Sequence, residues 1–147
     1  MKFSRSFEVR SPVAEVRAFH ARAASLVALT PPVMPMRLEH APPVLRSGDT
    51  MTFRLWLGPL PVRWTARIED ADPAGFTDRL LAGPFAEWVH HHAFEPTGPA
   101  TTRVIDSIRA RLRPHLLWGP AGLAMWLGLP LLFAFRGWKT RRVLEQV

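Results

Sequence analysis

The stretch Gly83–Phe94, GPFAEWVHHHAF, constrains the fold more than any other part of this chain. It opens on a Gly-Pro turn and then runs with the two-residue period of a strand. Read that way, Trp88, His90, His92 and Phe94 share one face, and Glu87, Val89, His91 and Ala93 share the other. One face therefore carries two imidazoles between large aromatic rings. That composition suits the wall of a mostly apolar cavity in which a few polar groups are fixed.

The same period recurs along the chain. Residues 2–9 read as a first strand with Phe3, Phe7 and Val9 in phase. Ser11-Pro12 then starts a helix, with Ser11 as N-cap and Pro12 at the first helical position. Val13, Val16, Phe19 and Ala23 form its apolar stripe, and a second short helix carries on to Leu29 before Thr30-Pro31-Pro32 stops it. A run of strands follows: Val33–Glu39, Thr50–Leu57, Val62–Glu69, Phe76–Leu81, the central stretch, and Thr101–Leu112. Turns at Ser47-Gly48-Asp49, Gly58-Pro59, Asp72-Pro73-Ala74-Gly75 and Thr97-Gly98 separate them. Asp78 lies in phase with Phe76 and Leu80, and Asp106 with Val104 and Ile108, so each carboxylate falls on an apolar face and needs a partner.

Leu116–Phe135 carries no charge over 20 residues and has basic groups on both sides, which makes it long enough to span a membrane. The bland reading is a Gly/Pro loop through about Gly122 and then one long C-terminal helix, kinked at Pro130. Leu127, Leu131, Phe135 and Trp138 then pack on the sheet, while Lys139, Arg141, Arg142 and Glu145 face water. Peripheral membrane contact through residues 116–142 is the third reading, because a basic-flanked apolar helix is also what an interfacial anchor needs.

The 147 residues suffice for one domain, and 48% hydrophobic against 21% charged residues mark a globular chain. The absence of cysteine excludes a disulfide framework, a thiolate metal site and a cysteine nucleophile. The N-terminus MKFSRSFEVR has no apolar core of a secretory signal, so a cytoplasmic location is the expectation. The net charge of +7 comes from scattered arginines without a nucleic-acid-binding motif, so nucleic acid is not expected as a partner. No Gly-rich phosphate loop or G-x-S-x-G elbow is present.

Three stretches carry a family resemblance: SPVAEVRAFHARAASLVALTPP, WTARIEDADPAGFTDRLLAGPFAEWVHHHAF and TTRVIDSIRARLRPHLLWGPAGLAMWLGLPLLFAFR. Together they resemble the START-like, or SRPBCC, superfamily, and within it the bacterial polyketide-cyclase-like branch, some members of which are labelled cell division inhibitors. The resemblance covers nearly the whole chain and implies a single α+β domain over residues 1–147. The fold it implies is a helix-grip: a curved antiparallel sheet of about seven strands around a long C-terminal helix, with two short helices after the first strand and a cavity between sheet and helix. It also implies binding of a small apolar or lipid-like molecule.

Arg54, Trp64, Asp78, Trp88, His90, His92, Phe94 and Asp106 are the candidate ligand-binding residues. His90 paired with Asp106 or Asp78 could act as general acid or base in a cyclase or dehydratase, with the enolate held by Arg54 or a tryptophan N–H. Equally, a buried Asp facing a His is a satisfied polar pair. The two histidines with Asp106 or Asp78 also match a two-His-one-carboxylate metal set, but nothing in the sequence fixes the third ligand, and neither metal nor cofactor is expected. Oligomeric state is not legible in the sequence.

Overall fold

The computed structural model describes residues 1–145. Their alternating stretches form β1 (Lys2–Val9), β2 (Met36–His40), β3 (Thr50–Leu57), β4 (Leu60–Asp72), β5 (Gly75–Ala82), β6 (Phe85–Gly98) and β7 (Thr101–Leu112). These make one antiparallel sheet in the order β1-β7-β6-β5-β4-β3-β2. Short turns between successive strands produce the meander from β2 to β7, and the first strand closes on the last. Helices α1 (Val13–Ala21) and α2 (Ala23–Ala28) follow β1, and α3 (Trp118–Leu127) and α4 (Leu129–Leu144) end the chain. This is the seven-stranded helix-grip arrangement expected from the sequence.

Alternation places Phe53, Leu55, Val62, Trp64, Trp88 and Ile108 on the inner face, where Leu129 and Phe133 of α4 cover them. A second cluster, Val9, Val16, Phe94 and Val104, lies under α1. Each cluster removes several large side chains from water, and each buried Val, Leu, Ile or Phe contributes about 1.5–3 kcal/mol.

Two local expectations are corrected. Helix α1 starts at Val13, with Pro12 as its extended N-cap residue, not Ser11. Ser11 is buried instead: its Oγ donates to Glu15 at 3.1 Å, and its carbonyl accepts the Thr102 hydroxyl at 2.8 Å. The helix entry is thereby tied to β7.

The C-terminal segment is two helices, not a loop and one kinked helix. They meet at Gly128 with a bend of 50°. Pro130 lies in the first turn of α4, where a missing N–H leaves nothing unmade. It begins a helix and does not kink one. The buried stripe is also not the expected one. Leu127, Leu131 and Trp138 point outward, 70%, 80% and 52% exposed, and of the expected four only Phe135 is partly covered. Leu129, Phe133, Gly137 and Thr140 face inward. At Gly137 an added Cβ would sit 3.5 Å from the Phe7 ring, so a small residue lets helix and strand approach. No single helix among the described residues is long and apolar enough to cross a membrane, although α3 and α4 together pass by length and composition as a bent pair.

Gly75 fixes the pairing of β5 with β6. Its φ is 155°, and a Cβ there would land on the His92 carbonyl oxygen. Gly75→Ala is expected to lower stability by about 2 kcal/mol or more, read from the midpoint of urea unfolding. A wild-type midpoint would refute the tight packing of these two backbones.

Candidate functional site

Three neighbouring strands bring the polar side chains together. Asp78 on β5 lies directly opposite His90 on β6, and His92 lies opposite Asp106 on β7. The short hydrogen bonds run diagonally instead. The Nε2 of His90 meets Asp106 Oδ1 at 2.8 Å, and the Nε2 of His92 meets Asp78 Oδ2 at 2.7 Å. The directly opposite pairs are longer, 3.6 Å for His90 Nδ1 to Asp78 and 3.3 Å for His92 Nδ1 to Asp106. Diagonal neighbours on a sheet face are within reach of long or planar side chains. The two imidazoles stack at 3.8 Å between ring centres, and His92 stacks on Phe76 at 4.3 Å.

His90, His92 and Asp106 are buried, so their protonation is set by one another more than by water. Burial pulls the His92 pKa down, but its bonds and attraction to Asp106 and Asp78 outweigh that and raise it from 6.5 to about 9. Burial and the neighbouring His92 push His90 below its ordinary value, against the pull of both aspartates. Burial pushes Asp106 and Asp78 up, yet the histidines hold both well below the usual carboxylate range. At neutral pH the set is two carboxylates, an imidazolium at His92 and a neutral imidazole at His90. A neutral His90 that donates from Nε2 to Asp106 keeps a lone pair on Nδ1.

Asp78, His90 and His92 line a cavity of about 460 Å³ between the sheet and α3–α4. Met51, Phe53, Trp64 and Trp88 line its sheet side, and Met125, Leu129 and Phe133 its helix side. Trp64 and Trp88 pack edge to face at 5.2 Å. Val33 and Leu131 line the same space while 87% and 80% exposed, so they form its rim.

Of the residues singled out in the sequence, Trp64, Asp78, Trp88, His90 and His92 line the cavity. Asp106 stands behind them, bonded to His90. Phe94 is buried on the same face but belongs to the cluster under α1. Arg54 is misplaced by the sequence reading: it shares the outer face with Arg63, and its Nε meets Glu39 at 3.1 Å. The phase of β3 requires this, because Phe53 and Leu55 beside it point inward.

Two residues were missed. His20 of α1 is largely enclosed, 5.0 Å from the Phe94 ring and 6.5 Å from His92. Burial lowers its pKa to about 4, so it is neutral there. Its signal was a histidine four residues after Val16, inside the apolar stripe of a helix. Arg136 of α4 lines the cavity, with its guanidinium carbon 5.1 Å from the Phe133 ring centre. Placing α4 on the wrong stripe hid it.

Asp78, His90 and His92 also bring one ligand atom each within 4.8 Å of the others, the spacing of a metal site. Within this trio the short hydrogen bond is His92 to Asp78, while His90 turns its Nε2 to Asp106.

The shifts give stability a defined pH dependence. The folded pKa of His92 is raised, so its contribution is full below about 6.5 and is lost as pH rises through about 9. His20 and His90 are lowered, so they weaken the fold as pH falls below 6.5, with His20 fully protonated below about 4. The urea midpoint is therefore expected to be highest near neutral pH and to fall towards pH 9, with a His92 contribution on the order of 3 kcal/mol. His92→Gln should lower stability throughout and flatten the alkaline limb; an unchanged alkaline limb would show that His92 is not the titrating group.

No family model matches the chain, and no curated protein matches it by sequence. Solved structures do. A START superfamily protein from Mycobacterium smegmatis is 12% identical, with a TM-score of 0.66 over 99% of this chain and 97% of the other. The Zhui aromatase/cyclase from Streptomyces sp. R1128 is 17% identical, with a TM-score of 0.70 over 97% and 95%. Norcoclaurine synthase from Thalictrum flavum, in complex with dopamine and hydroxybenzaldehyde, is 15% identical, with a TM-score of 0.72 over 100% and 88%. At such identities the likeness shows the fold: this chain has the helix-grip fold of START-like proteins, a fold it shares with a polyketide aromatase/cyclase.

Proposed function

We propose that this chain binds a small apolar or lipid-like molecule between its sheet and its C-terminal helices. The observation that carries the reading is the cavity itself. It is about 460 Å³, lined by aromatic and aliphatic side chains, with Asp78, His90, His92 and Arg136 as its charged or titratable lining. An apolar enclosure with a few convergent polar groups is the usual form of a small-molecule site. Native mass spectrometry of the purified protein should release a co-purifying apolar compound, or the emptied protein should bind the neutral dye N-phenyl-1-naphthylamine and quench Trp64 and Trp88. A folded protein that carries nothing and binds no dye would overturn the reading.

A second reading is an acid–base enzyme of the cyclase or dehydratase type. The observation favouring it is the free Nδ1 of a neutral His90 beside the cavity, with its Nε2 fixed by Asp106 at 2.8 Å. Such a group can take a proton next to a ligand carbonyl, and a positioned base contributes about 10²–10⁴-fold. His90→Ala should then abolish turnover of aromatic polyketide-like compounds by that factor. Weakened binding in this variant, with no turnover of any compound by the wild type, would exclude the enzyme.

A third reading is peripheral contact with a lipid surface. Val33 and Leu131 are exposed at the rim, Leu127 and Trp138 are exposed on α3 and α4, and the Arg142 guanidinium lies 5.5 Å from the Trp138 ring centre. Apolar side chains with an adjacent aromatic–arginine pair suit an anionic interface. The protein should sediment with phosphatidylglycerol vesicles at low salt, less so at high salt, and Leu127→Asp with Leu131→Asp should keep it in the supernatant. Wild type that stays in the supernatant at low salt would remove this reading.

A further inference from the structure

Among the described residues, two buried donors on the cavity wall lack a hydrogen bond, His92 Nδ1 and Arg136 Nε; the first still faces the Asp106 carboxylate at 3.3 Å, which leaves the arginine as the unused one. The Nε of Arg136 is buried without an acceptor, and no hydrogen bond or ion pair from its guanidinium occurs among the described residues. Asp106 and Asp78 attract it, but each accepts its short hydrogen bond from an imidazole. A buried donor left unmade is costly, and a planar guanidinium fork is suited to binding oxygen. The protein thus keeps a donor ready for something it does not itself contain.

The charges around it select the acceptor. Asp78 and Asp106 contribute two negative charges, and His92 and Arg136 two positive ones, while His90 and His20 are neutral. The buried set is balanced before any ligand enters. A carboxylate or phosphate would add an unbalanced charge to a low-dielectric site, at a large desolvation cost. A neutral carbonyl oxygen accepts from Arg136 and leaves the balance intact. It brings no donor of its own that would need a partner.

We propose that Arg136 is the docking point for the carbonyl oxygen of an uncharged ligand whose apolar body extends along the cavity towards Trp64 and Trp88. The inference rests on the cavity being the ligand site.

Calorimetric titration of the full chain with 2-ethylnaphthalene, 2-acetonaphthone and 2-naphthoate tests both levels, because the three probes share one apolar body. The ketone is expected to bind wild type about tenfold or more tighter than the hydrocarbon, and more tightly than the carboxylate. Arg136→Met should abolish that preference, read as the ratio of ketone to hydrocarbon affinity within the variant. Equal binding of ketone and hydrocarbon to wild type overturns the role of Arg136 while the cavity reading stands. Tightest binding of the carboxylate overturns it in favour of an anionic head group. If no probe binds, the cavity reading fails and the inference falls with it. The infrared carbonyl stretch of the bound ketone should fall below its value in hexane in wild type and return towards it in Arg136→Met; an unshifted wild-type band, or a shift that survives the substitution, overturns the proposal.

Discussion

The structure depends on keeping a buried group of charges balanced. Two carboxylates inside an apolar sheet face are tolerable only if cations or donors meet them at hydrogen-bond distance. Here His90 and His92 do so from the strand between them, at 2.8 and 2.7 Å. That geometry requires β5, β6 and β7 to hold their register to within one residue, since a strand that slips by one turns its own members of the set to the outer face. Gly75 pins that register against the His92 carbonyl. Helix α1 closes the group with His20, and α4 closes it with Phe133 and Arg136. Sheet, first helix and last helix therefore converge on one place.

The polar group and the cavity depend on each other. An apolar lining lowers the local dielectric, which strengthens each imidazole–carboxylate contact and separates the two histidines into different protonation states. The same lining leaves room for a guest that is mostly apolar.

Much of this was legible in the sequence, because a strand's period is strict. Trp88, His90, His92 and Phe94 fall on one face whatever their partners are, and the same rule aligns Asp78 with Phe76 and Asp106 with Val104. What the period cannot supply is which neighbour a side chain chooses. The diagonal bonds of His90 and His92 depend on side-chain reach across the sheet, and appear only once the strands are paired. Arg54 was misassigned although its phase against Phe53 and Leu55 pointed outward. The C-terminal helices were least legible. Their inward stripe contains Gly137, Thr140 and Arg136, while leucines and a tryptophan occupy the outer one, so hydrophobicity pointed the wrong way. Proline misled for a related reason, because a residue that breaks the middle of a helix is equally at home in its first turn.

The joint at Gly128 divides the cavity wall into two parts with separate duties. Helix α4 brings Phe133 and Arg136 to the cavity beside His90, while α3 supplies Met125 and Ala124 to its wall. Substitutions in α3 can therefore reshape the space available to a guest without disturbing the balanced charges. In evolutionary terms the two traits are separable: the shape of the cavity can drift through α3, while the buried charges stay under the control of β5, β6, β7 and α4.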